Sequence, residues 1–153
     1  KIGSIPELED ADLKALLERV TDYIAHRTSD KVKISTHVPD SLPPVRLNVA
    51  LFEWVIENLC KNAVDAMGGV GVLVISVQET SRYWCIDVVD TGKGIDKRYF
   101  ETVFAPGYTT KKRGWGLGLS LARRIVVEYH SGSIFVKQSE INKGTIFRIE
   151  LKK

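Results

Sequence analysis

Cysteine is scarce: the 153-residue chain has two, Cys60 and Cys85, each inside an apolar periodic segment. Two cysteines make no disulfide framework, and no Cys-x-x-Cys or Cys/His spacing suits zinc. A thiol in such a setting behaves as a small buried hydrophobe, so both are expected reduced and a cytosolic compartment is favoured. Long apolar runs are missing too. No stretch reaches the roughly 18 consecutive apolar residues of a membrane-spanning helix, and the start lacks the pattern of a secretory signal peptide. The segment is therefore expected neither to span nor to enter a membrane. Its opening, "KIGSIPELED", has no initiator methionine and reads as a cut made upstream of a domain. An excess of one charge is also lacking: 22 Lys and Arg face 19 Asp and Glu, for a net charge of +3. No basic face recurs along a helix and no aromatics interleave with the cations, which argues against a nucleic-acid partner. Internal repeats and low-complexity stretches are absent. What remains is the composition of an ordinary globular protein, long enough to bury a core without staples.

The apolar periodicities order the chain. Leu13, Leu16, Leu17, Val20 and Ile24 fall at helical spacing behind Asp10 or Asp12 as N-cap. "KVKIST" alternates as a short strand before the Pro-containing break at "SLPPV". A long apolar helix is expected from about Arg46 to Met67, stopped by Gly68 and Gly69. "GVLVISVQE" and "RYWCIDVVD" predict a hairpin turning at Thr80 and Ser81. A glycine-rich stretch follows Asp90, then a helix from about Gly116 to His130, then the strands "GSIFVKQS" and "GTIFRIELKK". Strand pairs joined by short turns, with helices between them, predict an α+β fold: a two-layer sandwich with a mixed, mostly antiparallel sheet and helices on one face.

Three places carry polar groups where a core is expected. On the long helix, Leu51, Val55, Asn58, Asn62 and Asp65 lie within one stripe of roughly 80°. Three polar residues are thus expected to interrupt a core-facing seam. Two Asn at i and i+4 present amide oxygens to one point, which suits Mg²⁺ shared with phosphates; they equally suit capping of nearby backbone. In "RYWCIDVVD", alternation puts Trp84, Ile86, Val88 and Asp90 on one face, so a carboxylate ends an apolar row. A ligand amine such as that of adenine would relieve the cost, and Gly92 and Gly94 would let a flat base approach; an ordinary Asp-Thr-Gly turn is the alternative. Thr145 shares a face with Phe147, Ile149 and Leu151, so its hydroxyl points inward. In "GWGLGLSLARRIV", Gly114, Gly116 and Gly118 loosen the backbone where a helix begins, a seat for phosphates. The segment is neither a P-loop nor a Rossmann fingerprint. Lys111, Lys112 and Arg113 precede it, placed to close over a polyphosphate or simply to be solvated.

The order of these features resembles the N, G1, F and G2 boxes of sensor histidine kinases: Asn58 to Asn62-Ala-Val-Asp65-Ala66, then Asp90-Thr-Gly92-Lys-Gly94, then Phe104, then Gly114-Trp-Gly116-Leu-Gly118-Leu. The likeness is to their catalytic and ATP-binding domain, within the superfamily that includes gyrase B, MutL, heat-shock chaperones and mitochondrial protein kinases. It implies a Bergerat-type sandwich with ATP and Mg²⁺ held beneath a lid of residues 104–114. By that resemblance Asn62 would ligate Mg²⁺, with Asn58 and Asp65 nearby. Asp90 would hold the adenine amine, with Gly92, Gly94, Ile95 and Thr145 about the base. Phe104, Thr110, Lys111, Gly114, Gly116, Leu117, Gly118 and Leu119 would border the phosphates and lid. Asn58, Asn62 and Lys111 would serve catalysis. Residues 1–10 would end a linker from a dimerisation and phosphoacceptor hairpin, and residues 11–153 would form the catalytic domain. The implied partners are that hairpin, in a homodimeric parent, and the receiver domain of a response regulator. The implied location is cytoplasmic, including the cytoplasmic part of a membrane-anchored sensor.

Superfamily members that hydrolyse ATP carry a glutamate where this chain has Asn58, an amide with no basic lone pair. Glu57 lies about 100° away around the helix. Transfer to a protein nucleophile is therefore favoured over hydrolysis. His26, His37 and His130 lack the acidic neighbour usual at a phosphoacceptor, and His26 and His130 are expected to face solvent near helix ends. A serine or threonine kinase of the anti-sigma-factor type, an ATPase of the superfamily, and a nucleotide-regulated binding module without turnover are the rival readings.

Overall fold

Helix α1, Leu13–Ala25, starts where the Asp12 carboxylate accepts the amide of Ala15 at 3.0 Å, and it buries Leu13, Leu16, Leu17, Val20 and Ile24. The computed structural model describes residues 6–109 and 118–153. Five strands form the main sheet: β2 (Val32–His37), β4 (Gly71–Glu79), β5 (Tyr83–Asp90), β6 (Ser133–Glu140) and β7 (Gly144–Lys152). They lie in the order β2-β4-β5-β7-β6, with β2 parallel to β4 and every other pair antiparallel. Leu73, Ile75 and Val77 of β4, Trp84, Ile86 and Val88 of β5, and Phe147, Ile149 and Leu151 of β7 are buried in one cluster with the apolar stripes of the helices. The helices cover one face, and the two-layer α+β sandwich expected from the sequence is the architecture observed.

Two boundaries differ from expectation. Helix α2 spans Val49–Met67, and the three residues before it, Val45–Leu47, form a strand, β3, paired antiparallel with β1 (Glu9–Ala11). Asn48 decides this, since its side chain accepts the Leu51 amide at 3.1 Å and so caps the helix there, while Val45 and Leu47 alternate inward around exposed Arg46. Gly68, left-handed at φ 64°, ends α2 as expected. Helix α3 runs Gly118–Arg124 and widens into π-helical turns over Ile125–Tyr129. Their closing side chain is His130, which is buried at 8% exposure rather than solvent-facing as its position suggested. Its Nδ1–H donates to the Ile125 carbonyl (3.0 Å), five residues back, and its Nε2 accepts the Asn48 amide (3.1 Å). Both ring nitrogens are thereby assigned in the neutral form. Desolvation lowers the ring's pKa and holds it uncharged, although the two backbone contacts act the other way.

Candidate functional site

The stripe on α2 is displaced from where the sequence put it. The buried side of the helix is Phe52, Val55, Ile56, Leu59, Cys60 and Ala63, whose centre lies about 100° around the axis from Asn58 and Asn62. The asparagines therefore flank the core instead of interrupting it. Both are half-buried, and Asp65, one turn on, is exposed. Asn62 Nδ2 donates to Asn58 Oδ1 at 3.4 Å, which turns the Asn62 carbonyl oxygen away from its neighbour. A neutral amide oxygen is the kind of ligand that suits a hard cation keeping most of its ligands as water or phosphate. Among the described residues, no group of three or more His, Cys, Asp or Glu side chains forms a cage of its own. Helix α3 begins directly against Asn58: a Cβ on Gly118 would lie 2.7 Å from Asn58 Nδ2. Any side chain there would have to displace the Asn58 amide, so glycine lets the start of α3 and the Asn58 side chain share a wall.

At the other end of the site, Asp90 is buried, with 5% exposure, at the end of the β5 row that faces the helices. Its carboxylate accepts the Gly92 amide at 2.8 Å and the backbone N–H of Thr145, its cross-strand partner on β7. No cation stands beside it among the described residues. Desolvation pushes its pKa above the ordinary aspartate value, while the two amides pull it down. Two backbone donors leave part of the acceptor capacity of two carboxylate oxygens unused.

The loop after Asp90 is clamped from both sides. The Lys93 amide donates to the Ala66 carbonyl at 2.9 Å, at the end of α2, and the Lys93 carbonyl accepts the Asn142 amide at 2.8 Å, from the β6–β7 turn. The glycines expected to make room for a base make room for protein backbone: a Cβ on Gly92 would lie 2.7 Å from the Ala66 backbone, and one on Gly94, at φ 78°, 2.2 Å from the Glu140 carbonyl. Ile95, packed on the edge of the core, donates its amide to Ser139 Oγ at 2.7 Å. Ser139 is a member of this site that the sequence reading missed.

The structure brings Asp90, Gly92, Gly94, Ile95 and Thr145 together at one end, and Asn58, Asn62 and Gly118 together at the other. Leu119 is half-buried against the core. Phe104 lies deeper than a lining position, at 4% exposure, edge-on to Phe147 with ring centroids 6.0 Å apart. Arg123 of α3 covers its other side, 4.1 Å from the ring centroid, and forms a two-pronged ion pair with Glu101 at 3.0 and 3.2 Å. Arg123 thus fastens α3 to the segment around Phe104. Thr110, Lys111, Gly114, Gly116 and Leu117 lie outside the described residues.

Residues 48–153 match the family described as histidine kinase-, DNA gyrase B-, and HSP90-like ATPase. The sensor histidine kinase ZraS of Escherichia coli (strain K12) is 32% identical over 145 residues, which cover 94% of this chain and 31% of the relative. The chain thus spans just under a third of the length of that curated relative. A nucleotide-free structure of the catalytic domain of histidine kinase ThkA superposes with a TM-score of 0.85 at 27% identity, covering 96% of each chain. The structure of ThkA in complex with the response regulator protein TrrA superposes with a TM-score of 0.82, covering 95% of this chain and 42% of that one. At 24% identity this second likeness is one of fold alone.

Proposed function

Because the chain belongs to the histidine kinase-, DNA gyrase B- and HSP90-like ATPase family, we propose that it is the catalytic domain of a sensor histidine kinase. In that reading it transfers the γ-phosphoryl group of Mg-ATP to a histidine on a separate dimerisation domain, for relay to a response regulator. The observation that carries the nucleotide reading is Asp90: a buried carboxylate at the end of an apolar row, with two backbone amides and, among the described residues, no cation. Burial without a counter-charge is costly, and a ligand amine that donates to the carboxylate offsets the cost. Adenine's exocyclic amine fits that demand. About the phosphates, Asn62 would hold the magnesium ion, with Asn58 beside it and the start of α3 against Asn58. Magnesium would supply neutralisation of phosphate charge, and this chain's part is to position the nucleotide and keep bulk water from the transferred group.

Transfer is favoured over hydrolysis by the chemistry of Asn58. Its carbonyl oxygen already accepts from Asn62, and an amide is no base for a water molecule. His130 is unsuited to accept phosphate within this domain, since both of its ring nitrogens are engaged and the ring is buried. A dimerisation partner and a receiver domain are the partners this reading requires; in support, the ThkA complex named above pairs a histidine kinase with a response regulator protein. The test is to give γ-labelled Mg-ATP to the domain alone and to the domain joined to a dimerisation hairpin. Acid-labile phosphoprotein formed only in the second sample is the expected result. Free phosphate released by the domain alone, with no labelled protein in either, would replace the kinase reading with an ATPase one.

A further inference from the structure

Helix α3 lies back along α2, and each of its ends meets an asparagine of that helix. At its start, a Cβ on Gly118 would lie 2.7 Å from Asn58 Nδ2 and 2.8 Å from Asn58 Oδ1, so backbone and amide meet without slack. At its far end, His130 closes the π-helical turns: its Nδ1–H donates to the Ile125 carbonyl at 3.0 Å, and its Nε2 accepts the Asn48 amide at 3.1 Å. The first bond is internal to the helix. The second ties the helix to the N-cap of α2, where the ring also packs on Phe52 with centroids 5.4 Å apart. Between the two ends Arg123 fastens α3 sideways, through its ion pair with Glu101 and a bond to the Ile134 carbonyl at 3.2 Å. Gly118 stands five residues before Arg123 and His130 seven after it, which makes arms of about 8 and about 10 Å. A rod held near its middle turns when one end is freed, and a shift of the far end moves the near end by a similar distance the other way.

We infer that His130 is a positioning residue for the metal end of the site: by accepting the Asn48 amide it sets the tilt of α3 on α2, and so holds Gly118 against Asn58. The inference rests on the nucleotide reading above and deepens it. Asn58 in turn accepts from Asn62 at 3.4 Å, and the orientation of a metal ligand is set by the groups behind it. His130 thus acts on Asn62 through α3 and Asn58, without itself touching nucleotide or metal.

The two ring nitrogens can be separated by substitution. Asparagine places its amide where Nδ1 stands and keeps a donor for Ile125, whereas glutamine reaches the place of Nε2 and keeps an acceptor for Asn48. The experiment compares the wild type, His130→Asn, His130→Gln and Phe52→Leu, the last of which thins the packing under the ring and spares both bonds. One reading needs neither metal nor nucleotide: the nuclear Overhauser contact between the Gly118 α-protons and the Asn58 side-chain amide. The other is ATP affinity with and without magnesium. The wild type, His130→Gln and Phe52→Leu should show the contact and equal tightening by magnesium, whatever their melting temperatures. His130→Asn should lose most of the contact, and its tightening should fall by about fivefold. An equal loss in His130→Gln or Phe52→Leu would make the ring a packing element only and overturn the inference. Should His130→Asn unfold in plain buffer, the set is compared in sucrose, which favours the folded state by its exclusion from the protein surface. A wild type that binds no ATP brings down the nucleotide reading itself, and the inference with it; ATP binding tightened by magnesium equally in the wild type and His130→Asn brings down the inference alone.

Discussion

Strand β5 carries two aspartates three residues apart, each 5% exposed, and they are kept in opposite ways. Asp87 points to the sheet face away from the helices, where Arg148 grips it with two bonds of 2.7 and 2.8 Å and Lys137 stands at 4.0 Å. Asp90 points to the helix side and has two backbone amides and, among the described residues, no cation. The first carboxylate is compensated within the protein. The second is left needing a donor, and its raised pKa records the deficit. Equal burial therefore marks a structural pair in one case and a binding site in the other; what separates them is whether the chain supplies the counter-charge.

The largest effect should come from breaking the compensated pair. Arg148→Ala strands the Asp87 carboxylate, and loss of a partner from a buried pair typically costs about 3 kcal/mol or more, seen as a lower midpoint in urea. Replacing both members by apolar residues of similar volume should recover most of that loss, and neither change should alter ATP affinity of the folded protein. A stable Arg148→Ala protein would mean that Asp87 needs no cation, and the contrast with Asp90 would lose its basis.

A smaller effect is expected at the amide end. Asn62→Ala should leave the melting temperature within a few degrees and reduce the tightening of ATP binding by magnesium by about tenfold, the scale of one lost ligand or charged hydrogen bond. Titrating ATP with and without the metal checks this; undiminished tightening moves the ligand role to another residue.

The gentlest probe is pH. Asp90 must be ionised to receive an amine, so affinity for ATP should weaken as pH falls through its raised pKa, above the 3.8 of an ordinary aspartate. The nucleotide's own titration cancels when Asp90→Asn is measured in parallel. Stability of the free domain should move the other way at this group. A carboxyl whose folded pKa is raised stabilises the fold at low pH, and that contribution is lost as pH rises through the raised value. His130 acts in the opposite sense: with its folded pKa lowered, stability is complete above the ordinary 6.5 and declines as pH falls from there through the lowered value. A pH-independent difference in ATP affinity between wild type and Asp90→Asn would deny Asp90 the role of charged acceptor.

Where alternation or helical spacing ran unbroken, the sequence was enough to place residues. Asp90 was legible because β5 keeps its period of two through Trp84, Ile86 and Val88, and α1 because its cap and stripe agree. Ser139 was not legible, because counting by twos from Ile134 and Val136 turns it outward and only the irregularity before Gln138 turns it in. The asparagines of α2 were recognised but set on the wrong part of the helix, since a stripe of periodic residues does not say which side the sheet will cover. His130 looked like a helix-end histidine, and one of its two hydrogen-bond partners is Asn48, 82 residues away. The β1–β3 pair was hidden in the same way: three-residue strands carry too little pattern to be found without their partner.

The contrast between the two aspartates is tested most directly by calorimetric titration of ATP into the wild type and Asp90→Asn, with the melting temperature of each free protein taken at the same neutral pH. The account predicts at least about a tenfold loss of affinity with the free protein's stability little changed, because an ionised buried carboxylate is exchanged for a neutral amide. Undiminished ATP affinity together with a fall in stability comparable to that of Arg148→Ala would make Asp90 a second structural carboxylate and contradict it.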